Sequence, residues 1–195
     1  MKMYLPGLIA VLAARHGVPE RRILWLRSIV KNLCVIGLAM PSAPARGAFI
    51  DFKPADIAKI ALAIELRRAG LSREATVNTV SACWPDLVEQ AFAGRADGRR
   101  VRYLGGEINI LTGEAAVLRP LVGDELGAFA ASRPRNLFLI ECTRFFERLV
   151  EAFWAAGMDA TGFIADLDEA QPRILANGAR VACDAGGADA VVAAA

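Results

Sequence analysis

Apolar residues recur at three- and four-residue steps along much of the chain, a pattern that predicts helices first. Leu5, Leu8, Ile9 and Leu12 have this spacing, so a short helix is expected over 6–14. Gly17 then makes a turn. Pro19 suits the first position of a second helix, because its missing N–H would have no partner there. Glu20 follows in the first turn, where the helix dipole favours an acid. The second helix is expected to run to about Cys34. At 100° per residue, Ile23, Leu26, Val30 and Leu33 fall on one side, and Arg21, Trp25, Ser28 and Asn32 on the other. A short helix, a glycine turn and a second helix with a basic face predict a helix-turn-helix.

Pro41, Pro44 and Gly47 require the second helix to end before 39–47. Phe49 to Phe52 predict a short β segment. A basic loop containing Arg46, closed by that strand, has the form of a wing. Pro54 opens a third helix with Asp56 in its first turn and Ile57, Ile60, Ala61 and Ile64 as its stripe. Gly70 ends it. Ser72 caps a fourth helix with Val77, Val80 and Trp84 at helical spacing. Pro85 is expected to break that run and start a short helix to about Phe92.

The second half is less regular. Gly94 to Arg100 reads as a turn-rich linker. Val101 to Leu104, Gly105-Gly106, and Glu107 to Leu111 predict a β-hairpin with a two-residue loop. No Gly-Lys-Ser/Thr follows, so the stretch is not read as a phosphate loop. Residues 113–131 have no clear element, since Pro120 and Gly123 break any helix. A long helix is expected over 134–156. There Leu139, Cys142, Phe146, Leu149 and Phe153 repeat as a coiled-coil seam. Phe138, Phe145 and Trp154 make its apolar surface wider than a two-stranded seam needs. An intrachain core helix packed on the hairpin is the alternative. From Gly157 onward Ala, Gly and Asp dominate, and a loose tail is expected.

The expected fold class is mainly α with small β. Its divisions are a winged helix-turn-helix over 1–93, a hairpin plus long helix for dimerisation over 94–160, and a tail over 161–195. With 195 residues, 55% of them hydrophobic, the chain can bury a core. Its net charge is only +2, but unevenly spread. Residues 1–60 hold nine Lys/Arg against three acids, and 61–195 hold fourteen against eighteen. A polyanion-binding surface is therefore expected in the N-terminal third.

Other chemistry is weakly represented. Cysteines 34, 83, 142 and 183 have neither metal-finger nor redox spacing, and fit reduced thiols in a cytoplasmic protein. The single histidine, His16, excludes sites that need two. Nothing else supports nucleophilic catalysis through it, so no enzyme is expected. Lys2 followed by the apolar run from Leu5 to Ala14 has the outline of a signal peptide. Its positive region is a single lysine, however, and Leu12 stands where a small residue would precede the cut. No apolar run reaches the roughly 20 residues that cross a membrane.

Residues 6–80 resemble the winged helix-turn-helix of MerR-type transcription regulators. The resemblance rests on Gly17-Val18, Arg21, Ile23 and Trp25, on the wing aromatics Phe49 and Phe52, and on Asp56-Ile57. It extends through Leu66-Arg67-Arg68-Ala69-Gly70-Leu71-Ser72. It covers about two-fifths of the chain. Leu24 stands where the family usually has a second arginine, and Ile50 where the wing usually has a phosphate-holding one. The link between second helix and wing is several residues longer than usual. Phosphate contacts then fall to Arg22, Arg27, Arg46 or Lys53. Family members dimerise through a helix after the DNA-binding part, which favours a homodimer here. The metal-sensing branch uses cysteines near that helix. Cys142 and Cys183 have no local partners, so neither metal nor other cofactor is expected.

The expected function is sequence-specific binding of double-stranded DNA in transcription control. Arg21, Trp25, Ser28 and Asn32 would face the major groove, and Arg22, Arg27, Lys31, Arg46 and Lys53 would hold phosphates. Trp25 would pack on sugar-phosphate. The alternatives are a phage-type excision, packaging or other architectural DNA-binding protein, and a protein-interaction module on a winged-helix fold.

Overall fold

The computed structural model describes residues 3–38, 51–97, 101–109, 114–115, 117–132 and 137–169. It is mainly helical with a small antiparallel sheet. α1 (Leu5–His16) ends at Gly17, whose φ of 61° is the left-handed conformation that a helix-terminating glycine adopts cheaply. A 3-10 turn (Glu20–Arg22) leads into α2 (Ile23–Val35). Pro19 lies one residue outside that turn, as its extended cap rather than its first helical residue. α3 (Pro54–Arg68) opens on Pro54, with the Lys53 N–H donating to Asp56 Oδ2 at 3.1 Å. Its buried residues include Ala58, Leu62, Ala63 and Leu66 as well as the expected stripe, so it is a central helix covered on most sides. Gly70 (φ 104°) ends it, and Ser72 Oγ accepts the Ala75 N–H at the start of α4.

α4 (Arg73–Asp97) runs straight through Pro85. The proline denies a hydrogen bond to the carbonyl of Ser81, but Ser81 is exposed and water can satisfy it. Val80, Cys83, Trp84, Leu87 and Val88 are buried on both sides of the break, and this packing outweighs the local preference. Gly94 is not in a linker. It lies inside α4, where a Cβ would stand 2.6 Å from Thr143 Oγ1, so it lets two helices approach closely.

Gly105-Gly106 is not a turn either. Both glycines lie within a single strand, β1 (Arg102–Asn109). β3 (Arg119–Val122) and β4 (Leu137–Glu141) pair with it antiparallel on opposite edges, and β2 (Glu114–Ala115) pairs beyond them at Ile108 and Asn109. A Cβ on Gly105 would lie 2.5 Å from Leu121 Cδ1, 2.8 Å from Leu139 Cδ2 and 3.3 Å from Phe129 on α5 (Gly123–Ala131). Glycine is needed because three side chains converge over it. Gly105→Ala should therefore cost about 1–3 kcal/mol by overpacking, read as a lower urea midpoint with an unchanged slope. Pro120 is tolerated in β3 because an edge strand can spare an N–H.

The long helix expected over 134–156 begins only at Cys142, as α6 (Cys142–Ala155). Leu139 belongs to β4. Cys142, Phe146, Leu149 and Phe153 are buried within their own chain, where α6 packs against α1 and α4. Trp84 and Phe146 meet edge to face at 6.3 Å. These side chains fill the core, so the homodimer loses the seam it rested on. The helix α7 over 161–169 replaces the first part of the expected tail. Its Phe163 and Leu167 are buried, and Phe163 lies 4.8 Å from the Phe153 ring. One apolar cluster runs from Met3 to Leu167, so residues on both sides of position 93 share a core. No helix among the described residues is long and apolar enough to cross a membrane.

Candidate nucleic-acid interface

Leu26, Val30 and Leu33, spaced four and three apart, anchor α2 in the core with almost no exposure. Ile23 is half-buried beside them. Burying each such side chain contributes roughly 1.5–3 kcal/mol, so the stripe decides which way the helix faces. Arg21, Arg22, Trp25, Arg27, Ser28, Lys31 and Asn32 are all exposed on the remaining circumference. Trp25 is 53% exposed, a large ring left in solvent. Glu20 is the only acid between residues 20 and 38, against four cations. None of those four forms an ion pair among the described residues. At about 1.5 Å per residue, thirteen residues make a rod about 20 Å long.

Leu24 (79% exposed) and Val35 (84% exposed) also lie on this surface, an apolar presence that helical spacing does show but that counting charges passes over. Gly37 (φ 89°) closes the end of α2. The start of α3 lies nearby, since the Asp56 charge joins burial in raising the Cys34 thiol pKa. Burial raises the Asp56 carboxyl as well, against the Lys53 N–H bond and the lysine charges of Lys59 and Lys53. Lys53 is exposed at this edge.

The wing is not placed. Arg46, Phe49 and Ile50 lie outside the described residues. Asp51 and Phe52 are described and are not in a strand. Instead Asp51 Oδ1 accepts the Met3 N–H at 2.7 Å, and the Phe52 N–H donates to the Met3 carbonyl at 2.8 Å. Phe52 is buried, so it serves the core rather than a ligand.

The titratable groups elsewhere are poorly suited to covalent chemistry. His16 is half-buried and its pKa is lowered to about 4, by burial first and then by the charges of Arg15 and Arg68. It is neutral at pH 7. Its folded pKa is below the unfolded value of 6.5, so its contribution to stability is whole above about pH 6.5 and is lost as the pH falls toward 4. Between pH 7 and 5 that loss is about 2 kcal/mol, and His16→Leu should abolish this part of the dependence in urea unfolding. Cys83 and Cys142 are buried thiols, each pushed up to about 12 by burial. Cys183 lies outside the described residues. Among the described residues no group of three or more His, Cys, Asp or Glu is placed to hold a metal ion.

No protein-family model matches the chain, and no curated protein matches it significantly.

Proposed function

We propose that this chain is a cytoplasmic regulator of transcription that binds double-stranded DNA in a sequence-specific manner. In this reading its N-terminal helices work as a MerR-like helix-turn-helix, with α2 as the reading helix. The observation that carries the reading is the outward face of the Glu20–Arg22 turn and α2. Four unpaired cations, Trp25, Ser28 and Asn32 stand together in solvent on a rod that fits the major groove. Arg21 supplies two donors suited to guanine, and Asn32 a donor and an acceptor suited to adenine. Arg22, Arg27, Lys31 and Lys53 take phosphates, and Trp25 packs on a sugar.

One observation favours a second reading. Exposed Leu24 and Val35, on the same side of α2 as Trp25, would suit a face that docks another protein. The two readings differ in how single substitutions act on DNA. With duplexes recovered by selection on the full chain, Arg21→Ala should lose roughly 1–3 kcal/mol of discrimination against unselected sequence. Arg27→Ala should weaken both alike and lower the salt slope by about 1. Failure to enrich any sequence would leave the protein-docking reading. The full chain is required, because α1 and α4 both pack on α6.

A further inference from the structure

The side chain of Arg15, in the last turn of α1, is 6% exposed. It stands where two surface clefts meet, one of about 290 Å³ and one of about 220 Å³, and Arg148 of α6 lines both. Tyr103, Leu139, Ile140 and Phe145 line the smaller one together with Glu65, Glu141 and Arg144. Glu151 lines the larger.

Part of the charge is already matched. Arg15 Nη2 donates to Glu65 Oε1 at 2.5 Å, and the guanidinium carbon lies 5.4 Å from the Phe145 ring centroid. Arg144 pairs with Glu147 and Glu151 at 3.0 Å each. The remainder is unmatched. Arg15 Nε is buried without an acceptor, and Nη2 is the one nitrogen of that group with a partner among the described residues. Arg148 is exposed and has no hydrogen bond or ion pair among the described residues. Three guanidinium groups and three carboxylates, Glu65, Glu141 and Glu151, line this part-buried hollow, and Arg15 and Arg148 are the cations in it with donors left open. Burial lowers the Arg15 pKa, Arg148 and Arg144 lower it further, and Glu65 and Glu151 oppose them. Guanidinium donors left without acceptors are costly, and an oxyanion in the cleft supplies acceptors to them.

We infer that this hollow binds a small ligand by a carboxylate or phosphate group held between Arg15 and Arg148, with Leu139 and Phe145 against the ligand's apolar part. Planar guanidinium forks match either oxyanion. The inference does not rest on DNA binding. Because Arg15 belongs to α1 and Arg148 to α6, the bound group would bridge α1 and α6.

Equilibrium dialysis of the full chain against inorganic phosphate and against succinate tests it. The expected result is saturable binding of at least one, with one site per chain. Phosphate alone points to a phosphoryl ligand, and succinate alone to a carboxylate. Arg148→Gln should weaken that binding at least about tenfold, the loss of one charge-assisted hydrogen bond, with an unchanged thermal midpoint. Arg27→Gln on α2 should leave it unaltered. No saturable binding of either probe, or equal weakening by both substitutions, would overturn the inference.

Discussion

Replacing Arg22, Arg27 and Lys31 together by alanine should lower affinity for duplex DNA about a hundredfold near 0.15 M salt. Each phosphate contact releases condensed counterions, and the salt slope changes by about 0.9 for each contact removed. Three lost contacts multiply to the stated factor. The three side chains are exposed, so helix content and thermal midpoint should stay close to the parent's. Anisotropy with a labelled duplex and circular dichroism measure the two arms. A variant that stays folded and binds as before would move the interface off α2.

Phe163→Ala should destabilise the fold by about 3–5 kcal/mol, the range for deleting a fully buried phenylalanine. Phe163 has no exposed surface, and its ring packs against that of Phe153 at a tilt of 34°, Phe153 being fully buried itself. For a chain of this size the thermal midpoint should fall by roughly 10 °C. A loss under about 1 kcal/mol would mean that α7 is an appendage and that the Ala-rich composition after Gly157 had been a fair guide.

Phe163 also shows where composition misleads. Ala, Gly and Asp around it suggest a tail, yet three residues at helical spacing, Ala160, Phe163 and Leu167, suffice to seat a helix on Phe153. α1, α2 and α3 were legible because their signals are local: Gly17, Pro54, Gly70 and Ser72 mark ends, and the periodicity marks faces. α4 was half legible, since Pro85 is a local veto that buried Trp84 and Leu87 override. The sheet was not legible. Gly105-Gly106 resembles a turn unless Leu121 and Leu139 are known to flank it. The segment 137–141 continues the 3.5-residue repeat of α6 and becomes a strand because β1 offers it an edge. The outward face of α2 followed from rotation alone, as did its buried stripe. The Arg15 hollow did not, because its walls come from α1, α3, α6 and two strands that no spacing joins.

Binding of the full chain to duplex DNA across a salt series is the most direct test of the outward face of α2. Arg22, Arg27, Lys31 and Lys53, with each taking one phosphate, predict that log K falls against log salt with a slope of about −4. No duplex binding at low salt, or a slope near zero, would contradict the reading of that face as a DNA-binding surface.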